Sequence, residues 1–567
     1  MFELFRSFLP FHNPIGFGAA DFIEFTLAAL LVSFVLLWNP GLRAYVARCA
    51  EKPAYAMLLL AVLPIALRLL LLRNHPVPVP DTYDEFSHLL VADTLLHLRL
   101  ANPSHPLHQF FETFFVLQQP TYSSIYPLGQ GLVLAFGRLI TGYAWTGVVL
   151  SVSTFCALSY WMLRAWTSPL WAFFGGLLAV IEVGPLNSWM NSYWGGSVSA
   201  TAGCLVFGAL PRLVTTARKR DAAFLGVGIG LHLLTRQFES VLLVLAVILF
   251  ILVVMPMRRL LTFRPQAAIC LLAITPAFAL TLLQNKAVTH EWFKLPEQLS
   301  QYQYGVPSAF TLQPVPVPHN PLTPEQQLDY KAQSLMHGPG TDTPVRYVQR
   351  LLYRIRYYRF FFLPALYPAI FAFLFALRER RFLWVGWTLA IFALGTNFFP
   401  YLLVHYLAAC TCLFVLVAVT GLEQLGRLTV CNARLGADAA RILVFLCLAH
   451  FVFWYGLHLF ENEPFSTEMT RYETWDAINH RDQQRRMGVN DQLAGVPGKQ
   501  LVFVRYWPQH AFQDEWVWNA ADIDGAQVVF ARDLGSIENE KLIRYYPDRK
   551  VWLLEPDFRP PRLTSYR

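Results

Sequence analysis

The sequence predicts an all-α polytopic membrane protein, with about 12 transmembrane helices and added interfacial helices, closed by a small C-terminal α/β soluble domain. Three observations carry that expectation. Of 567 residues, 55% are hydrophobic, 15% aromatic and only 14% charged, where an ordinary soluble domain has roughly 25% charged residues. Apolar runs of spanning length recur along the first 460 residues. The charge is also segregated: residues 461–567 hold 14 Lys+Arg and 17 Asp+Glu, leaving 31 and 20 for residues 1–460. A soluble enzyme and a disordered chain are excluded. The net charge of +8 is read as basic cytoplasmic loops, so no nucleic-acid partner is expected.

In chain order, the expected spans are 21–38, 54–72, 143–163, 169–185, 197–214, 221–239, 240–256, 267–284, 360–377, 382–398, 402–424 and 440–460. A thirteenth stretch, 126–142, is Gly-rich and interrupted by Arg138. If it lies flat, the basic loops around Arg43/Arg48/Lys52, Arg212/Arg218/Lys219/Arg220, Arg258/Arg259/Arg264, Arg378/Arg380/Arg381 and Arg427/Arg434 share one side. The positive-inside rule therefore makes it a re-entrant or interfacial helix and puts both termini outside. The membrane domain is then 1–460, with outward loops 73–142 and 285–358, and 461–567 is an extracytoplasmic domain.

Within those loops, 86–100 is interrupted by Asp93, His97 and Arg99 and, with 106–118, reads as amphipathic interfacial helix. The loop 285–358 carries nine prolines, which predicts an extended lid with little regular structure. In 461–567, LVFVRYW (501–507), AQVVFARD (526–533) and KVWLLEPD (550–557) read as strands. The eight cysteines all fall in apolar runs or in loops assigned to the cytoplasm, so the outward regions gain no disulfides. No cleavable leader is expected, since the first apolar run, near Phe22, follows no basic segment. No internal repeat is visible, which weakens a transporter built from inverted halves.

The candidate chemistry gathers on the outward side. PDTYDEF (80–86) sets Asp81, Asp84 and Glu85 at the membrane surface, where carboxylates are costly unless they meet a cation, a metal or a substrate proton. The competing reading is a solvated helix start with an acidic cap. PLNSWMNSYWGGS (185–197) offers Asn191, Tyr193 and Trp194, amide and aromatic groups suited to sugars or to an interfacial belt. LLTRQFES (233–240) pairs Arg236 with Glu239 at i,i+3. Lys294 in HEWFKLPEQ (290–298) and the pair His405–Tyr406 are further candidates. No Walker, GxGxxG or HExxH string is present, so cytosolic nucleotide-driven chemistry is not expected.

On these residues the chain resembles the GT-C class of integral membrane glycosyltransferases. The likeness is to the bacterial branch that includes relatives of protein O-mannosyltransferases, the lipid A aminoarabinose transferase and RgtA/B/C/D-like glycosyltransferases. Asp84-Glu85 matches that class's acidic pair before an interfacial helix. YPLGQG (126–131) matches its Tyr-Pro helix start, with Leu128 in place of a second Pro, and LLTRQ resembles the class string GLLTRP, with Gln237 for Pro. MNSYWGGS is shared with a group of bacterial membrane proteins that also end in a soluble domain. The resemblance covers residues 54 to about 285.

It implies a polyprenyl-phosphate-linked sugar donor and an acceptor from the cell envelope. Asp84 would take the acceptor's proton as it attacks the anomeric carbon with inversion. Glu85 would orient the acceptor or, with Asp81 and Asp84, hold a divalent metal (Mg, Mn or Zn). Arg236 would meet the departing lipid phosphate; Tyr126, Asn191, Tyr193, Trp194, Glu239, Lys294, His405 and Tyr406 would bind substrate. In many class members the loop that corresponds to 185–197 carries an acidic residue; here it has none. The alternatives are a transporter or flippase of lipid-linked glycans and a non-catalytic envelope assembly protein. The enzyme reading requires Asp84, Arg236 and Tyr193 to converge on one cavity.

Overall fold

Leu-, Val- and Ala-rich runs with few charges form helices in this chain because, in hydrocarbon, only the helix satisfies every backbone group within one segment. The computed structural model describes residues 25–33, 40–80, 82–254, 263–338, 340–429, 435–460, 478 and 483–566. Asp81 and the basic loop residues Arg258, Arg259 and Arg434 lie outside them, as does most of 461–482.

Among the described residues, six helices are long and apolar enough to cross a membrane: Pro53–Arg73, Ala144–Leu163, Ser197–Thr216, Arg264–Thr289, Val404–Gly426 and Leu435–Phe460. A seventh is counted if Pro344–Phe361 and Pro364–Arg378, bent by 106°, form one span. Three more of the expected runs are the shorter apolar helices Pro169–Val183 and Gln237–Val254 and, for 126–142, Leu128–Thr141. At 1.5 Å per residue the last is about 21 Å long, short of the roughly 30 Å of hydrocarbon. Lys219–Leu233 and Arg380–Thr396 occupy the remaining two runs beyond residue 54.

The helices bury one continuous apolar core. Its tightness shows at Gly203, where a Cβ would fall 1.9 Å from the carbonyl oxygen of Ala409. The Ser197–Thr216 helix and the turn at Val404–Cys410 touch backbone to backbone there, an approach only glycine permits.

Two expectations for the loops are corrected. The stretch 106–118 is not a helix. It holds a 3₁₀ turn (His108–Phe111) and takes part in a three-stranded sheet of β1 (Asn102–Pro103), β2 (Val116–Leu117) and β3 (Thr121–Ser124), in the order β1-β3-β2. The loop 285–358 is not extended but contains the helices Pro296–Tyr304, Pro324–His337 and Pro344–Arg354. Three of the nine prolines, Pro296, Pro324 and Pro344, stand at the first helical position of these helices, where proline's missing N–H costs nothing and its fixed φ suits the helix.

The C-terminal segment is α/β. Its sheet runs β5-β4-β6-β7, with β4 (Gln500–Val504) parallel to β5 (Val528–Arg532) and β6 (Lys550–Glu555), and β7 (Arg562–Ser565) antiparallel to β6. Helices Gln483–Ala494 and Ser536–Tyr545 complete it. Leu501, Phe503, Val529 and Ala531 share one apolar cluster with Leu90, Phe110, Phe111 and Val116 of the first loop. The sheet is thus packed onto that loop.

Candidate functional site

Thr82 starts the helix Tyr83–Leu96 through a capping box. Thr82 N–H and Oγ1 donate to Glu85 Oε2 at 3.3 and 3.0 Å. Glu85 Oε1 accepts the Tyr193 amide N–H at 3.0 Å. Glu85 is therefore a buried fastener that ties the helix start to the 185–197 loop. Asp84, beside it, faces the other way, into a cavity of about 600 Å³.

That cavity gathers seven of the predicted residues: Asp84, Tyr126, Trp194, Arg236, Glu239, His405 and Tyr406. Tyr126 donates its hydroxyl to Asp84 Oδ1 and is stacked on His88, ring centroids 4.1 Å apart. Arg236 sits in the turn between the Lys219–Leu233 and Gln237–Val254 helices, its guanidinium 4.7 Å above the Tyr406 ring and 4.0 Å from Glu239 Oε1. Trp194 lies 5.4 Å from His405. Phe238, Phe310 and Phe399 form an apolar wall with centroids 4.6–5.2 Å apart.

Four predicted residues stand elsewhere. Besides Glu85, Tyr193 turns its hydroxyl to the Pro78 carbonyl at 2.8 Å, so the expected convergence holds for Asp84 and Arg236 but not for the Tyr193 side chain. Asn191 is consumed by its own loop, accepting from Arg68 Nε at 2.7 Å and donating to the Pro185 and Asn187 carbonyls. Lys294 is partly exposed beside Glu291 at 3.3 Å. Asp81 lies outside the described residues.

The cavity also contains groups the sequence did not single out. Glu297 comes from the Pro296–Tyr304 helix and Asp329 from Pro324–His337, while Phe512 and Gln513 reach in from the C-terminal segment. Both Asp329 oxygens accept from Gln333 Nε2 at 3.0 Å. Glu297 had a visible signal, since it lies in the same HEWFKLPEQ string as Lys294; Asp329 had none.

Burial pushes the Asp84 carboxyl up to about 7. The nearby Asp329 and Glu85 charges add to that, while the Tyr126 hydrogen bond and Arg236 oppose it. Burial and the Glu239 charge raise Glu297 to about 7; its carboxyl is enclosed although the residue as a whole is half-buried. Burial raises Asp329 to about 6 against the Gln333 hydrogen bond. Burial, with Arg236 nearby, lowers His88 to about 3, leaving the ring neutral beneath Tyr126. A carboxyl near 7 accepts and returns a proton at neutral pH.

Of the expected metal set, Asp81 lies outside the described residues and the two described members do not converge. Asp84 is turned to Tyr126 and Glu85 to Thr82 and Tyr193, so the two carboxylates share no coordination point. Among the described residues no group of three His, Cys, Asp or Glu is gathered to hold an ion.

No family model matches the sequence, and no curated protein matches it. Among solved structures, ArnT from Cupriavidus metallidurans bound to undecaprenyl phosphate is similar at TM-score 0.50 and 12% identity, over 87% of this chain and 92% of that one. The chain has the GT-C fold. The Archaeoglobus fulgidus oligosaccharyltransferase with Zn and sulfate, also of GT-C fold, matches at TM-score 0.44 and 10% identity, over 88% of this chain and 67% of that one.

Proposed function

We propose that this chain is an integral membrane glycosyltransferase that moves a hexosyl or pentosyl group from a polyprenyl-phosphate donor to an envelope acceptor (lipid, glycan or protein). The reaction takes place on the outer face of the bacterial inner membrane, with both termini on that side. The observation that carries this reading is a buried carboxylate, Asp84, lining one cavity with a guanidinium, Arg236, in a protein of GT-C fold.

Asp84 accepts the proton of the acceptor's hydroxyl or amine as that atom bonds to the anomeric carbon. The bond from that carbon to the donor phosphate breaks with its electron pair leaving on the phosphate, and the configuration inverts. Tyr126 fixes the carboxylate's orientation through its hydroxyl. Arg236, steadied by Tyr406 and Glu239, meets the charge that grows on the leaving phosphate. Trp194 and His405 offer ring faces to the sugar. No step is assigned to a metal.

The test is transfer of label from polyprenyl-phosphate sugars to envelope fractions, with purified protein and its Asp84→Asn variant. Loss of transfer in a variant that still folds and binds donor lipid supports the assignment. Equal transfer in both removes Asp84 from the mechanism, and no transfer from any donor overturns the enzyme reading.

A further inference from the structure

The helix Pro344–Arg354 has two faces of opposite character. Val345, Val348, Leu352 and Tyr353 are 66, 52, 53 and 58% exposed; the first three, spaced by three and four, lie on one stripe, and Tyr353 stands at its edge. The other face holds the protein. Arg350 forms an ion pair with Asp342 and donates from Nε to the Asn397 carbonyl at 2.8 Å. Arg354 is buried and donates to the Thr396 and Phe399 carbonyls at 2.9 and 2.6 Å. Tyr347 donates to the Leu394 carbonyl at 2.6 Å. All four carbonyls lie at the C-terminal end of the Arg380–Thr396 helix or just past it, and Phe399 is part of the cavity wall.

Nothing in a soluble setting explains an exposed apolar stripe on a helix so firmly tied down. The chain around it supplies the explanation. The stretch Pro344–Phe361 meets the apolar Pro364–Arg378 at 106°; if the second enters the membrane, the first runs along its surface. Residues 344–361 contain no acidic residue; Arg346 and Tyr353 are exposed and Arg356 half-buried, while Arg350, Arg354, Phe360 and Phe361 face the protein. Aromatic rings and arginine beside an apolar stripe suit the headgroup layer, where the rings rest at the interface and the cations meet lipid phosphate. Leu335 and Met336, 83 and 58% exposed at the end of the preceding helix, add to the exposed apolar surface of this loop, and Met336 also lines the cavity.

We infer that the helix Pro344–Arg354 lies on the membrane surface, where it and the arginine that follows it, Arg356, bind the negative charge of phospholipid headgroups, and that through Arg350 and Arg354 it braces the wall of the cavity. The occupant of the stripe is the anionic bilayer surface. This rests on the chain spanning a membrane and not on the reaction proposed above, so the two stand or fall separately.

The test is amide hydrogen exchange on the full chain in nanodiscs of phosphatidylcholine alone and of phosphatidylcholine with phosphatidylglycerol. Exchange over 344–354 should be slower with the anionic lipid, on the order of fivefold for each arginine that meets a headgroup, while 144–163 exchanges alike in both. In the Arg346→Gln/Arg356→Gln variant the difference between the two lipids should vanish. In Val348→Asp the segment should exchange fast in both, with the rest of the chain unchanged. Equal exchange of the wild-type segment in the two lipids overturns the inference without any variant, and so does full protection in Val348→Asp.

Discussion

Burial raises the Asp84 carboxyl to about 7, so it changes charge near neutral pH. In the reaction proposed above the ionised carboxylate is the reactive form, so transfer should rise with pH through about 7 and level off above it. Tyr126 donates to the carboxylate and favours its charged form. Tyr126→Phe should therefore move the acid limb of kcat/KM to higher pH. Asp329→Asn removes a neighbouring negative charge and should move that limb to lower pH. Two variants that left the limb in place would detach the pH profile from Asp84. Stability follows the same shift. The folded value exceeds the free carboxyl's roughly 3.9, so the fold favours the protonated form and stability falls as pH rises from there through about 7. Asp84→Asn stays neutral and should be more stable to unfolding than the wild type above neutral pH, by a few kcal/mol at most, with the gain vanishing in acid. The neighbouring Glu85 was legible in part: Thr82-x-x-Glu85 is a capping-box string that fixes a helix start from sequence. That it also holds the Tyr193 amide, 108 residues away, was not.

Among the elements, the loop helix Pro324–His337 depends on a second such box. Thr323 Oγ1 accepts from the Gln326 amide at 3.2 Å, and Gln326 Oε1 accepts from the Thr323 amide at 2.9 Å. Thr323→Ala should cost about 1 kcal/mol, seen as faster amide exchange over 324–337. The same helix is bolted to the C-terminal sheet by the nearly buried pair Glu325–Arg532. Glu325→Gln leaves a guanidinium without its counter-charge and should destabilise this contact by roughly 3 kcal/mol, read as new protease cleavage in the loop at temperatures where the wild type resists. The string Thr-Pro-Glu-Gln carried the helix start in plain view. The nine prolines of the loop mask it, because a proline's effect on a helix depends on position and not on count.

At the scale of the whole molecule, the C-terminal sheet and the first loop are one packed unit. Trp518 packs against Phe86 in a tilted pair with ring centroids 5.2 Å apart and donates from its indole N–H to the Phe86 carbonyl at 3.1 Å, Ala521 N–H donates to Asp93 Oδ2 at 2.7 Å, and Thr82 bridges to Asp514. This contact holds Phe512 and Gln513 at the cavity. Trp518→Ala should loosen it by about 1–3 kcal/mol. The expected result is faster exchange in 83–96 and weaker transfer, with the membrane helices unaffected. Transfer at the wild-type rate with an undocked sheet would show that the C-terminal residues of the cavity are dispensable. In the membrane body, Gly203→Val would drive a side chain into the Ala409 carbonyl and should abolish the folded, detergent-stable protein.

By itself the sequence determined the membrane body, the helical character of each apolar run from residue 54 onward, the α/β C-terminal segment, and Asp84, Tyr126 and Arg236 as groups to watch. Hydrophobic length, strand alternation and the cost of surface carboxylates are local properties, readable in a window of twenty residues. Only the tertiary structure decided that Asp84 faces a cavity while Glu85 fastens a loop, that Tyr193 bonds the distant Pro78 carbonyl and Asn191 its own loop, and that Glu297, Asp329, Phe512 and Gln513 stand around the same space. Those assignments depend on which of two adjacent carboxylates meets a partner more than a hundred residues away. That partner is fixed by packing between elements, which no local pattern encodes.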